Sequence, residues 1–258
     1  MRVGWPLVPL LAAATLYHLG RRPGEPWRRD AAFAGGLVSL LAALDALDEY
    51  ADSLFWAHMV QHVILTMVAP PLLLLGRPWP RSLRGLPLRA RRRIARLLLA
   101  CRPLGAPLPA FALFNGVLLA WHVPALYDLT LRSEPVHVLE HVLFLVTGLL
   151  FWAHLVPASR RPRLSDGQRA AYGVGAILAG WGLALVLALA PRPLYAHYAA
   201  LLHRPGGLSA LADQQLAAGI MWVPASIPLT VAVLVAAYRA FGPGQERAAA
   251  PDLRPRET

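Results

Sequence analysis

Six polar side chains lie inside or at the ends of apolar stretches, and their spacing suits metal binding. His58 and His62 are four residues apart, as are His137 and His141, so each pair shares one face of a helix. His122 closes an apolar run in Trp121-His122-Val123-Pro124, and Asp213 opens another in Asp213-Gln214-Gln215. Imidazole binds Cu, Zn, Fe and Ni, and thioether favours Cu(I). Met59 and Met67 lie in the same run as the first His pair, and Met221 lies about two turns beyond Asp213. The chain has one cysteine, Cys101, which excludes an intramolecular disulfide and any CxxC site. A metal site must therefore be built from His, Met and carboxylates. That donor set suits copper best, with zinc as the alternative.

Each feature also has a plainer reading. A single histidine within a membrane span usually satisfies another polar group, which is the plain account of His122 taken alone. His18 and His154 sit near span ends and read as interfacial; His197 and His203 read as solvated. Met59 and Met67 can be packing. His137-Val138-Leu139-Glu140-His141 matches H-x-x-E-H, in which two His bind zinc and the Glu activates water. Five-residue matches arise readily by chance, and no other protease motif accompanies this one.

The elements that position these residues are set by hydropathy. Of 258 residues 57% are apolar and only 15% charged, against about 25% charged in soluble domains. The charges cluster between long apolar runs, as expected when the bilayer is the solvent. Seven runs approach spanning length, at about 3–19, 31–47, 54–75, 108–126, 136–156, 170–190 and 214–238. The fold expected is an all-α, seven-span transmembrane domain over 1–241, followed by a disordered cytoplasmic tail, 242–258. Every one of the 25 cationic side chains is Arg, giving a formal charge of +11. Segments 20–30, 76–107, 157–169 and 239–258 hold 21 of them, and the alternate segments hold the other four. That alternation places the N-terminus outside and the C-terminus in the cytoplasm. It also makes the lipid bilayer, and not nucleic acid, the partner of the basic charge. Arg89, Arg91, Arg92, Arg93 and Arg96, followed by Leu97-Leu98-Leu99, read as a short interfacial helix.

With this orientation, the five histidines and Asp213 fall in the outer half of the membrane. By helical rise, His62 lies roughly 12 Å and His141 roughly 8 Å below the start of its helix.

At these residues the sequence resembles the CtaG-type cytochrome c oxidase assembly factors, a family of seven-helix bacterial membrane proteins. The matching blocks are HMVQHVILTMVAPPLLLLGRP (58–78), FNGVLLAWHVPALYD (114–128), HVLEHVLFLVTGLLFW (137–152) and DQQLAAGIMWVPASI (213–227). Where the family usually has a Gly pair after D-Q-Q, this chain has Ala217-Ala218-Gly219. The resemblance implies a non-enzymatic role in a bacterial cell membrane: maturing a haem–copper oxidase by supplying copper to its catalytic subunit, with a copper donor protein as a further partner. It carries His58, His62, His122, His137, His141 and Asp213 over as the motif's polar residues, and thus as candidate metal ligands. Three other readings compete. A metal-ion or proton transporter would need polar residues running on to the cytoplasmic side, where the spans offer little beyond Thr66, Thr147, Ser226 and Thr230. A zinc hydrolase would use H-x-x-E-H, and a scaffold would use the imidazoles only to pack helices.

Overall fold

The computed structural model describes residues 6–156 and 163–242, and every regular element among them is helical. The expected disordered tail lies, from residue 243 onward, outside the described residues. Helix α1 (Leu7–Leu19) is followed by α2 (Trp27–Leu41), a π turn (Ala42–Ala46) and the short α3 (Asp48–Ala51). Next come α4 (Phe55–Val63), a second π turn (Ile64–Val68) and α5 (Ala69–Leu75), which together form one continuous apolar helix. The basic loop holds α6 (Pro78–Arg84) and α7 (Leu88–Ala100). After it run α8 (Pro107–Trp121), α9 (Pro124–Arg132), α10 (Glu134–Leu155) and α11 (Asp166–Leu189). The short α12 (Ala196–Ala200) precedes α13 (Ala210–Trp222) and α14 (Ser226–Phe241).

Four helices are long and apolar enough to cross a membrane: Phe55–Leu75, Glu134–Leu155, Asp166–Leu189 and Ala210–Phe241. A fifth span is reached if α8 and α9 count as one, although they meet at 75°. The seven runs read from hydropathy thus give four or five such helices. The run at 3–19 yields only 13 helical residues, about 20 Å of rise against a hydrocarbon core of about 30 Å. The run at 31–47 contributes to α2, whose first turn carries Arg28, Arg29 and Asp30. The run at 108–126 breaks at His122-Val123 because Pro124 lacks an N–H and forces Val123 into an extended conformation (ψ 124°).

Prolines also shape the helix that carries the first His pair. Pro70 has no N–H for the Thr66 carbonyl, and the Trp152 indole supplies the missing donor at 2.8 Å. Gly148, one turn before Trp152, permits this approach: a Cβ there would stand 3.0 Å from Pro70 Cγ. The other π turn gives the Leu47 N–H to Ala42, and the Ala43 carbonyl accepts from Gln61 Nε2 at 2.7 Å instead. Two freed carbonyls near α4 are thereby re-bonded from other helices.

On the Arg-rich side the helices are pinned by Arg81, which is buried. It reaches Asp30 at 2.7 Å and Glu25 at 3.2 Å, donates to the Tyr17 carbonyl, and lies 3.8 Å over the Tyr17 ring. The predicted basic amphipathic helix is present as α7, with no buried residue and with Leu97, Leu98 and Leu99 exposed.

Replacing Trp152 with Phe keeps most of the ring volume and leaves the Thr66 carbonyl unbonded in the interior. A stability loss of about 1–3 kcal/mol is expected in detergent unfolding of the purified protein. An unchanged unfolding midpoint would show that the indole hydrogen bond contributes nothing.

Candidate metal centre

The crossing of α4 and α10 brings the two His pairs face to face. His58 and His62 come from α4; His137, Glu140 and His141 come from α10, where i, i+3, i+4 spacing aligns them on one face. His58 and Glu140 have no exposed surface, and His62 and His141 are buried. Glu140 lies 3.8 Å from His58 Nε2 and 3.6 Å from His62 Nε2. One ligand atom from each of His58, His137, Glu140 and His141 can be chosen so that all lie within 4.8 Å of one another. Tyr127 and Phe144, both buried, wall the group against His58 and His62.

Hydrogen bonds around the group fix how the imidazoles point. The Tyr198 hydroxyl donates to the Ala51 carbonyl at 2.5 Å, so its oxygen must accept from His58 Nδ1 at 3.2 Å. His58 is therefore protonated on Nδ1 and presents the Nε2 lone pair to the centre, the usual way an outer partner orients a metal-binding imidazole. His122 is oriented likewise, with Nδ1 donating to the Leu118 carbonyl at 2.7 Å and Nε2 left open.

The centre is defined as much by what its atoms lack. The Nε2 atoms of His58, His62, His122, His137 and His141 and both oxygens of Glu140 are buried without a hydrogen-bond partner. The nearby Thr130 hydroxyl spends its proton on the Tyr127 carbonyl. An unpaired polar group in an apolar interior is costly, and so many in one place suit a ligand that accepts electron pairs. Three imidazole nitrogens and one carboxylate are a donor set for zinc, copper or iron. The residues present fit a metal ion.

The structure does not unite all six predicted residues. His58, His62, His137 and His141 meet with Glu140. His122 stands at the edge, its ring 6.2 Å from that of His62. Asp213 stands apart: it accepts from the Phe55 N–H at 2.9 Å and the Trp56 N–H at 3.0 Å, capping the start of α4 from another helix. Gln214 beside it donates to the Leu187 carbonyl and accepts from the Leu194 N–H at the end of α11. Asp213-Gln214 thus tie helix ends together. His197 is bonded to the Asp52 carbonyl, and His154 packs beside Tyr172; neither joins the centre. Glu140, seen in the sequence only as a possible catalytic base, is the carboxylate of the group. Its i+3 spacing from His137 was the available signal. Tyr198 gave none, lying 140 residues from the imidazole it orients.

The model of the cytochrome c oxidase caa3 assembly factor family matches residues 11–242. The chain belongs to this family. Similar proteins include uncharacterized proteins of Mycobacterium bovis and Mycobacterium tuberculosis, each 28% identical over 229 residues, and one of Mycobacterium leprae at 26%. Those matches cover 83% of this chain but only 34% of each mycobacterial chain. No solved structure matches it.

Asp213→Ala should cost about 1–2 kcal/mol of stability, as loss of a helix cap does, and leave zinc or copper uptake by the purified protein the same as in wild type. Metal analysis beside thermal unfolding checks this; metal lost at unchanged stability would make Asp213 a ligand and not a cap.

Proposed function

We propose that this family member is a bacterial plasma-membrane assembly factor that holds copper for delivery to the catalytic subunit of a cytochrome c oxidase. His58, His137, Glu140 and His141 would hold the ion, with His62 beside them, and the protein would carry the metal without performing catalysis. The observation that carries this reading is the cluster of unpartnered Nε2 and carboxylate atoms at the α4–α10 crossing. Bound there, the metal would supply the electron-pair acceptor those atoms lack. In the same reading the chain makes seven passes with its N-terminus outside. The 21-to-four division of Arg supports that orientation, which turns the cluster toward the outer face. A donor protein would load the site from that side.

The packing favours a holder over a conduit. Phe144 packs on His62 and shares a buried cluster with Leu65 and Trp121, while Phe114 and Phe151 stack in another. The threonines there are already used: Thr66 donates to the His62 carbonyl and Thr147 to the Leu143 carbonyl. In the hydrolase reading Glu140 would have to work on water, whereas its place between four imidazoles suits a ligand.

The test uses a deletion strain complemented with wild type or with His137→Ala/His141→Ala. The double variant should lose bound copper on purification and fail to restore oxidase activity; full copper content with full oxidase maturation would refute the metal centre. Tyr198→Phe should weaken metal affinity by about 10–100-fold, as loss of an outer partner does, while the protein stays folded. Competition with a chelator of known affinity measures it.

A further inference from the structure

His62 also borders a second space. A cavity of about 40 Å³ lies among α4, its π turn, α8, α11, α13 and α14, and Met59, Met67 and Met221 line it together with His62 and His122. These are three of the four methionines in the chain, drawn from positions up to 162 residues apart. All three are buried.

The polar residues lining this cavity are His62, His122, Thr66 and Ser226. The Thr66 hydroxyl is bonded to the His62 carbonyl, and Ser226 Oγ donates to the Trp222 carbonyl while accepting from Trp181. His122 Nε2 and both ring nitrogens of His62 have no hydrogen-bond partner. Flexible methionines normally close irregular gaps. Here three of them leave one beside two imidazoles that carry unpartnered nitrogens. A water molecule needs two to four polar partners, and thioethers are weak acceptors, so water suits the space poorly. No carboxylate lines it, and a divalent ion would sit there without compensating charge.

We propose that this cavity is a second metal site, distinct in chemistry from the His/Glu centre, which takes a soft monovalent cation, Cu(I). His122 Nε2 and the thioethers of Met59 and Met221 are its ligands, because thioether and imidazole donors without charge suit Cu(I). His62 is the wall common to both sites, and this is the one point at which the inference rests on the proposed centre. The ion enters and leaves in the same oxidation state, so no electron transfer is involved. His122, at the edge of the carboxylate-containing group, belongs to this softer site.

Silver(I) is a redox-inert probe of such a site. The purified full chain in detergent, with its exposed Cys101 thiol alkylated, is saturated with Zn(II), desalted, and then titrated with Ag(I), and both metals are counted after removal of excess. The expected result is one silver per chain beyond the retained zinc. Met59→Leu/Met221→Leu conserves side-chain volume; it should lose the silver and keep the zinc. Glu140→Gln should do the reverse. Circular dichroism and unfolding midpoints verify that each variant is folded. Silver kept by the double Met variant, silver lost with zinc in Glu140→Gln, or no silver bound by wild type would each overturn this site. Silver bound without zinc would overturn the His/Glu centre and leave this site standing.

Discussion

An interior without water requires every buried polar atom to find a partner, and the way this chain meets that demand organises its structure. Backbone groups released by proline, by π turns and by helix ends are re-bonded one by one: Thr66 by Trp152, Ala43 by Gln61, Phe55 and Trp56 by Asp213, Leu187 by Gln214. Each repair comes from another helix and ties two elements together. Against that background the unpartnered lone pairs at the α4–α10 crossing are not general looseness of packing. Single unpartnered atoms occur elsewhere among the described residues, as at Asn115 and His154, but at this crossing several imidazole nitrogens and a carboxylate gather.

The partners of the centre extend this logic outward. Tyr198 is held by Ala51 and in turn holds His58, so α12 sets the direction of a lone pair on α4. Asp128 accepts from the Ala196 and His197 N–H groups and anchors the start of α12 to α9. Asp213 fixes where α4 begins, and the position of His58 follows three residues later. A carboxylate remote from the imidazoles thereby secures the end of their helix without touching them.

Much of this was legible in the sequence, for a definable reason. The His pairs were found because i, i+4 spacing is a local property, and the same locality made Glu140 readable from His137 at i+3. Asp213 was recognised as special but not for its role: a carboxylate that caps a distant helix and one that binds metal look alike until the partner helix is placed. Tyr198 and Gln61 act through contacts between segments far apart in the chain, which spacing does not encode. Only four or five of the seven apolar runs give helices long and apolar enough to cross a membrane, because hydropathy adds up residues, whereas helix length is set by where a proline or a charged first turn interrupts hydrogen bonding. Pro124 cut α8 short within an apolar run, and the run at 3–19 gave only 13 helical residues.

The π turn at Ile64–Val68 has a consequence for the phase of the helix that contains it. A π turn accommodates one residue more than an α-helix would over the same stretch, and one residue corresponds to about 100° of rotation. The face carrying His58 and His62 and the face of α5 that meets α2 are therefore angularly offset by a residue that contributes to neither. Straightening the helix by deleting that residue would retain every ligand and every proline. It would nonetheless turn one half against the other and point the imidazoles away from α10. Composition and spacing within each half would be untouched; only the angular relation between them would be lost.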